Sequence, residues 1–381
     1  MTFFREIKDL IRYKRTSVKD KLVMVYSEHS GYTVNFMPTL ETLIKSYGLK
    51  ICYVTSDPKD PILNTKNKNI LPFYINKLLS FFMGMVDSPV CLMTMPDLNT
   101  YHIKRSAHPV NYVYIFHALM STHMVYRFRA FDNFDTILCT GAYQVEEIRK
   151  TEEFYKLPPK KLIEAGYTRV EQVHSQYHEY LKIAPCKKKP CVLLAPGWAS
   201  NNILESGGVD IIKSLLAEDY DVILRYHPET VRQRADILEI FDKAFINNPN
   251  VTIEKSVATN DSFMVADILI TDWSGVSFEY AFGTERPVIY INTPRKVMND
   301  RYEELEIEPF EVYVRNKIGE SLDIIEIEKL AAVVKDIMAN KERYVSEIVR
   351  LRNENIYNFL NAAHENAKAI IQTLKDSTTQ R

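Results

Sequence analysis

The chain has 381 residues, 46% hydrophobic and 25% charged, with a formal net charge of −1. That length exceeds one small core and suits two α/β domains, and the near-neutral balance excludes a general attraction to nucleic acid. Five cysteines (Cys52, Cys91, Cys139, Cys186 and Cys191) form no C-x-x-C pair; this argues against a disulfide framework or a zinc ribbon and predicts a reducing cytoplasm.

Residues 1–21 carry seven Lys/Arg against three Asp/Glu. Phe3, Phe4, Ile7, Leu10 and Ile11 recur there at helical spacing. Two readings stand: a basic amphipathic segment (1–20) lying on an anionic membrane surface, or a terminal helix packed on its domain. No apolar stretch resembles a signal-peptide core, and no run is long enough to predict a transmembrane helix. Buried strands are expected at Leu22–Tyr26 and Leu49–Asp57, separated by a helix, which predicts a parallel sheet. Leu71–Val86 holds one charge in 16 residues and reads as a partly exposed apolar helix near a membrane or acceptor, with a core helix as the alternative. Two further strands follow in "PVCLMTMPDL" and "VNYVYIFHAL". "FDTILCTGAYQVEEIRK" adds a strand, a glycine turn and a helix.

Lysines and prolines at 182–190 predict a linker. Alternation then restarts with "CVLLAPGW", "YDVILRYHPE", "VTIEK", "ILITDWSG" and "RPVIYIN". The expected organisation is an N-terminal Rossmann-like domain (21–181), a second Rossmann-like domain (191–345) and a helical C-terminal segment (346–381).

Ligands of parallel α/β sheets sit beyond the carboxyl ends of the strands. In the second domain those ends carry Gly197 and Trp198, Arg225 and His227, and the stretch Asp272–Ser277. Ser274, Gly275 and Ser277 open a predicted helix whose free N–H groups suit a phosphate, and Gly275 would admit it closely. The plainer alternative is that Asp272 or Ser274 only caps that helix. Arg225 and His227, two residues apart, share one side of a strand and suit a phosphate oxygen and a leaving phosphate. In the first domain His117 ends a strand and is the candidate general base, with His29 as second choice; a core histidine is the competing reading.

Asp219 and Asp221 have metal-binding spacing but fall at the amino end of a strand. His174 and His178, at i and i+4, lack a third ligand in sequence, so a solvated helix is the better reading and no metal site is assigned. Neither G-x-x-x-x-G-K-[ST] nor G-x-G-x-x-G occurs, which disfavours ATP hydrolysis and dinucleotide redox chemistry.

"RYHPE" together with "ILITDWSGVSFEYAFGTERPVIYI" resembles the CDP-glycerol glycerophosphotransferase family, which includes teichoic-acid primases and polymerases and related capsule enzymes. "VLLAPGW", "FHALMST" and "GAYQVEEIRKTEEFYKLPPKKLIEAGYTRVEQV" extend the resemblance over roughly residues 110–295. It implies two Rossmann-like domains facing across a cleft, as in glycosyltransferases of the B type. It also implies a CDP-activated polyol donor, a glycan or lipid-linked acceptor and no required cofactor. His117 and His227 match the family's histidines, and Ser274 and Ser277 its phosphate-binding helix start. Glu279 is then a candidate for a ribose or polyol hydroxyl. Three positions depart from the pattern: Ala118 stands in place of glycine, Trp273 of tyrosine and Gly275 of serine. A nucleotide-sugar glycosyltransferase and a nucleotide-sugar 2-epimerase are the alternatives on the same scaffold.

Overall fold

The computed structural model describes residues 2–184, 189–257 and 259–379. The first half supplies strands β1 (Val23–Ser27), β2 (Ile51–Thr55), β3 (Ile70–Tyr74), β4 (Val90–Met93), β5 (Asn111–Ile115), β6 (Thr136–Cys139) and β7 (Lys161–Glu164). They form one parallel sheet in the order β3-β2-β1-β4-β5-β6-β7. The second half supplies β8 (Cys191–Leu194), β9 (Asp221–Arg225), β10 (Val251–Glu254), β11 (Ile268–Thr271), β12 (Val288–Asn292) and β13 (Gly319–Asp323). Their order is β10-β9-β8-β11-β12-β13, again parallel throughout.

Continuous apolar runs suit such strands because both faces are covered. Along β1, Val23 and Val25 enter one core while Met24 and Tyr26 enter another on the opposite face. A third core surrounds the second sheet. Strand order reverses between β1 and β4, and between β8 and β11. Each reversal opens a crevice at the carboxyl ends.

Leu71–Val86 departs from the expected apolar helix. Leu71–Tyr74 belong to edge strand β3, and only Leu79–Gly84 is helical. Pro72 is tolerated because the strand is an edge. Of the short helix, Leu79, Phe82 and Met83 are buried and Phe81 is exposed.

The Thr2–Arg15 helix covers that edge with its polar side. Asp9 accepts the Tyr74 N–H at 2.9 Å, and Glu6 accepts those of Asn76 and Leu78 at 2.9 and 3.0 Å. Tyr13 is buried against Phe73 and Phe82. Phe3, Phe4, Ile7 and Ile11 face outward.

The C-terminal segment divides between the lobes. Ile348 and Leu351 of the Glu342–Asn355 helix join the core around the second sheet. The Ala362–Thr379 helix returns to the first lobe, where Ala367, Ile370 and Leu374 pack with Phe36 and Leu40. The lobes also meet where the Thr168–Ile183 helix lies against the Val276–Thr284 helix. The expected linker overlaps 185–188, which lies outside the described residues along with Cys186. Cys52, Cys91 and Cys139 are buried free thiols, and Cys191 is buried.

Candidate active site

A cleft of about 670 Å³ lies between the lobes, where the carboxyl ends of both sheets face each other. That volume suits a small-molecule ligand of nucleotide size. His29 and His117 reach it from the first lobe. Gly197, Trp198, Arg225 and His227 line it from the second, with Ser274, Gly275 and Glu279.

His117 follows β5. Its Nδ1 is 3.0 Å from Thr94 Oγ1, at the end of β4. Burial, with the Lys296 ammonium, pushes its pKa down to about 4. The ring is therefore neutral at physiological pH. The tautomer protonated on Nδ1 donates to Thr94 and leaves Nε2 as a base.

His227 is held the other way. It caps the Pro228–Gln233 helix, its Nδ1 accepting the Glu229 N–H at 3.1 Å. Burial, then Lys296 and His117, lower its pKa to about 3. Neutral His227 therefore keeps its proton on Nε2 and acts as a donor. Burial beside an ammonium opposes a cationic imidazole here. His29 likewise accepts the Gly31 N–H on Nδ1, at 3.1 Å. With its neutral proton on Nε2, His29 is a donor, which weakens it as a second-choice base.

Three expected donor-binding side chains have other partners. Arg225 donates to Ser262 Oγ at 2.8 Å and to the Val257 carbonyl at 3.3 Å, and stands 3.7 Å from Glu254. Its guanidinium is tied into the domain rather than open as a fork for phosphate. Asp272 is buried behind the cleft wall, accepting the N–H groups of Gly197 at 2.7 Å and Ile203 at 3.2 Å. It joins β11 to the loop after β8. Ser277 is also buried and donates to the Ser274 carbonyl at 2.9 Å.

The helix start itself is in the cleft. Ser274, Gly275 and Val276 line it, and the first N–H groups of a helix have no intrahelical acceptor. Gly275 also meets the other lobe. A Cβ there would sit 3.3 Å from Ala118 Cβ and 3.5 Å from Met120 Cγ, so the missing side chain lets the lobes approach. Glu279 lines the cleft with both carboxylate oxygens engaged across the lobes: Oε1 lies 2.8 Å from Tyr167 Oη, and Oε2 3.3 Å from Arg169 Nε. Tyr167 Oη is also 2.9 Å from the His117 carbonyl oxygen.

Lys296 was not singled out by the sequence. It follows β12 in "NTPRK" and reaches the cleft, with Nζ 5.2 Å from the centre of the Trp198 ring. Burial lowers its pKa, opposed by Asp272 and Glu311. A basic pair just after a strand was the available signal, of the same kind that drew attention to Arg225. Trp198 is 40% exposed at the mouth of the cleft, its ring 6.2 Å from that of His227 and tilted by 30°.

The first lobe also grips the second through the loop after His117. Ser121 N and Oγ donate to the Glu311 carboxylate at 2.9 and 2.8 Å. The Met298 N–H donates to the Met124 carbonyl at 2.9 Å. His117 and the Lys296 segment are thus held by one interface.

Among solved structures, the wall teichoic acid polymerase TagF, with CDPG, superposes with a TM-score of 0.59 at 15% identity, covering 99% of this chain and 95% of that one. A putative UDP-N-acetylglucosamine 2-epimerase from Listeria monocytogenes gives 0.59 at 10% identity, with 94% and 96% covered. Both likenesses establish the two-domain B-type fold. In sequence, the chain is 29% identical over 170 residues to a teichoic acid poly(glycerol phosphate) polymerase of Bacillus spizizenii, covering 41% of this chain and 40% of the relative. The namesake of Bacillus subtilis strain 168 is 25% identical over 172 residues, covering 42% and 21%. The matches thus span less than half of either relative. Residues 10–361 match the family model of CDP-Glycerol:Poly(glycerophosphate) glycerophosphotransferases, and the chain belongs to that family.

Proposed function

We propose that the protein transfers a glycerol-phosphate or related polyol-phosphate unit from a CDP-activated donor to a hydroxyl of a cell-wall, capsule or lipid-linked glycan acceptor, releasing CMP. The observation carrying this reading is the pairing across one cleft of a neutral imidazole, His117, with a cationic and donor-rich wall. That wall consists of Lys296, His227 Nε2–H and the helix start at Ser274–Val276. Family membership selects a phosphoryl centre over a sugar carbon.

The diphosphate lies along that wall and the acceptor hydroxyl approaches from the first lobe. Its oxygen attacks the phosphorus distal to cytidine while His117 Nε2 takes its proton. The bond to the bridging oxygen breaks and CMP leaves with the bonding pair. Lys296, His227 and the backbone N–H groups stabilise the charge gathering on CMP. These fixed donors bind the diphosphate without requiring a cofactor. Trp198 offers the donor a flat apolar surface at the mouth. Residues 21–181 serve the acceptor and 191–345 the donor.

The outward row of Phe3, Phe4, Ile7 and Ile11, with Lys8 and Arg5 beside it, supports docking of the N-terminal helix on the inner face of an anionic membrane. Among the described residues no helix is long and apolar enough to cross a membrane.

The test is a donor screen. Purified protein with a lipid-linked glycan acceptor should release CMP from CDP-glycerol or CDP-ribitol and leave UDP-sugars intact. UDP release would favour a sugar transferase. Isomerisation of a UDP-sugar without acceptor would favour an epimerase.

A further inference from the structure

His174 and His178 lie one turn apart on the Thr168–Ile183 helix, and the fold supplies what their sequence lacks. Glu285, just past the Val276–Thr284 helix of the other lobe, brings its carboxylate to the same point. His174 Nε2 is 2.9 Å from His178 Nε2 and 3.9 Å from Glu285 Oε1. The ligand atoms of all three lie within 4.8 Å of one another.

We propose that His174, His178 and Glu285 form a binding site for a divalent transition-metal ion of the zinc class, joining the two lobes away from the catalytic cleft. Tetrahedral zinc with bonds of about 2.0–2.1 Å sets neighbouring ligand atoms about 3.3 Å apart. The observed separations bracket that value, so small side-chain rotations complete the geometry. Two imidazoles with one carboxylate favour zinc over magnesium or calcium, which take oxygen ligands. Water fills the fourth position.

The surroundings hold the ligands ready. Arg352 donates to Glu285 Oε1 at 2.9 Å and to the Phe282 carbonyl at 2.9 Å, which fixes the carboxylate. Glu285 itself has φ +59°, an uncommon backbone for a residue with a side chain. The His174 ring meets Phe359 edge-on at 5.2 Å. None of the three ligands lines the cleft. The ion would act as a clamp where the Thr168–Ile183 and Val276–Thr284 helices meet, independently of the transfer reaction.

The test uses the full chain stripped of metal with a chelator. Cobalt(II) titration should give the intense visible absorption of a tetrahedral site and saturate at one ion per chain. Zinc should displace it and raise Tm. His178→Ala, at an exposed position, should weaken zinc binding more than about tenfold, abolish the Tm rise and leave the metal-free Tm unchanged. Glu285→Gln should also weaken binding. Absence of saturable one-to-one binding in the unaltered chain overturns the proposal. So does full affinity and an undiminished Tm rise in His178→Ala.

Discussion

Lys296 holds its ammonium 5.2 Å from the centre of the Trp198 ring, within the same cleft that His117 and His227 enter. Its charge helps to lower the pKa of both histidines. In the proposed reaction one side chain would serve the donor phosphates and, after burial, help to keep His117 neutral. Lys296→Met should cut kcat by about 10²-fold, as loss of one charge-stabilising donor does elsewhere. It should also raise the pKa of His117, moving the acid limb of kcat/KM to higher pH. Steady-state CMP release across a pH series reads both effects; an unmoved acid limb would sever Lys296 from the imidazole.

His117→Gln keeps a polar group of comparable reach but cannot take a proton. A loss of about 10²–10⁴-fold in kcat is expected, with donor KM nearly unchanged. Thr94→Val removes only the group that orients Nδ1, so its loss should be smaller. Measuring CMP release for both variants separates a base from a histidine that merely packs.

The pH dependence of the unaltered protein follows from the same burial. A base with a pKa of about 4 stays active well below pH 6.5, so kcat/KM should be flat from neutrality to about pH 5. Stability behaves differently. Unfolded histidine protonates near pH 6.5, whereas folded His117 and His227 resist until about 4 and about 3. Between those limits the unfolded chain binds more protons, so the contribution of these histidines is complete above pH 6.5 and declines as acid is added. Urea midpoints for His227→Gln against the unaltered chain should converge as pH falls from 6.5 towards 4.

The fold was legible because buried parallel strands write themselves as apolar runs ending in polar residues, as Val23–Ser27 and Ile268–Thr271 do. The carboxyl-edge rule then placed His117, His227 and Ser274 together without any contact being known. Pattern could not reveal which polar groups the domain already satisfies. Arg225, Asp272 and Ser277 stand at the right strand ends, yet Ser262, the Gly197 amide and the Ser274 carbonyl hold them. Leu71–Val86 misled because an edge strand and a short helix share one apolar composition, and the covering helix lies some 60 residues earlier in the chain. The partner of His174 and His178 was hidden for the same reason: Glu285 is distant in sequence and is brought beside them by the packing of the two lobes.

The reassignment of Asp272 and Ser277 has its own measurement. Asp272→Asn exchanges one acceptor for a donor facing a backbone N–H, which should cost about 1–3 kcal/mol of stability. Ser277→Ala loses one internal hydrogen bond and should cost about 1 kcal/mol. Neither should raise donor KM in the fraction that remains folded. A large rise in KM for Ser277→Ala, with Tm unchanged, would return its hydroxyl to the phosphate.

The N-terminal helix presents Phe3, Phe4, Ile7 and Ile11 outward, while Glu6 and Asp9 accept backbone N–H groups in and just past β3 and Tyr13 packs inward. Water-facing Phe4 and Ile7 contribute nothing to the cores, so Phe4→Ser with Ile7→Ser should leave Tm within about 1 °C, a shift expected for a surface change of a few tenths of a kcal/mol. Sedimentation with anionic phospholipid vesicles should then fall by tenfold or more, since each buried apolar side chain contributes about 1.5–3 kcal/mol. Added salt should weaken the unaltered protein's binding through Arg5 and Lys8. If the double variant sediments as the unaltered chain does, the outward row is not the membrane contact, and the acceptor must reach the cleft by another route.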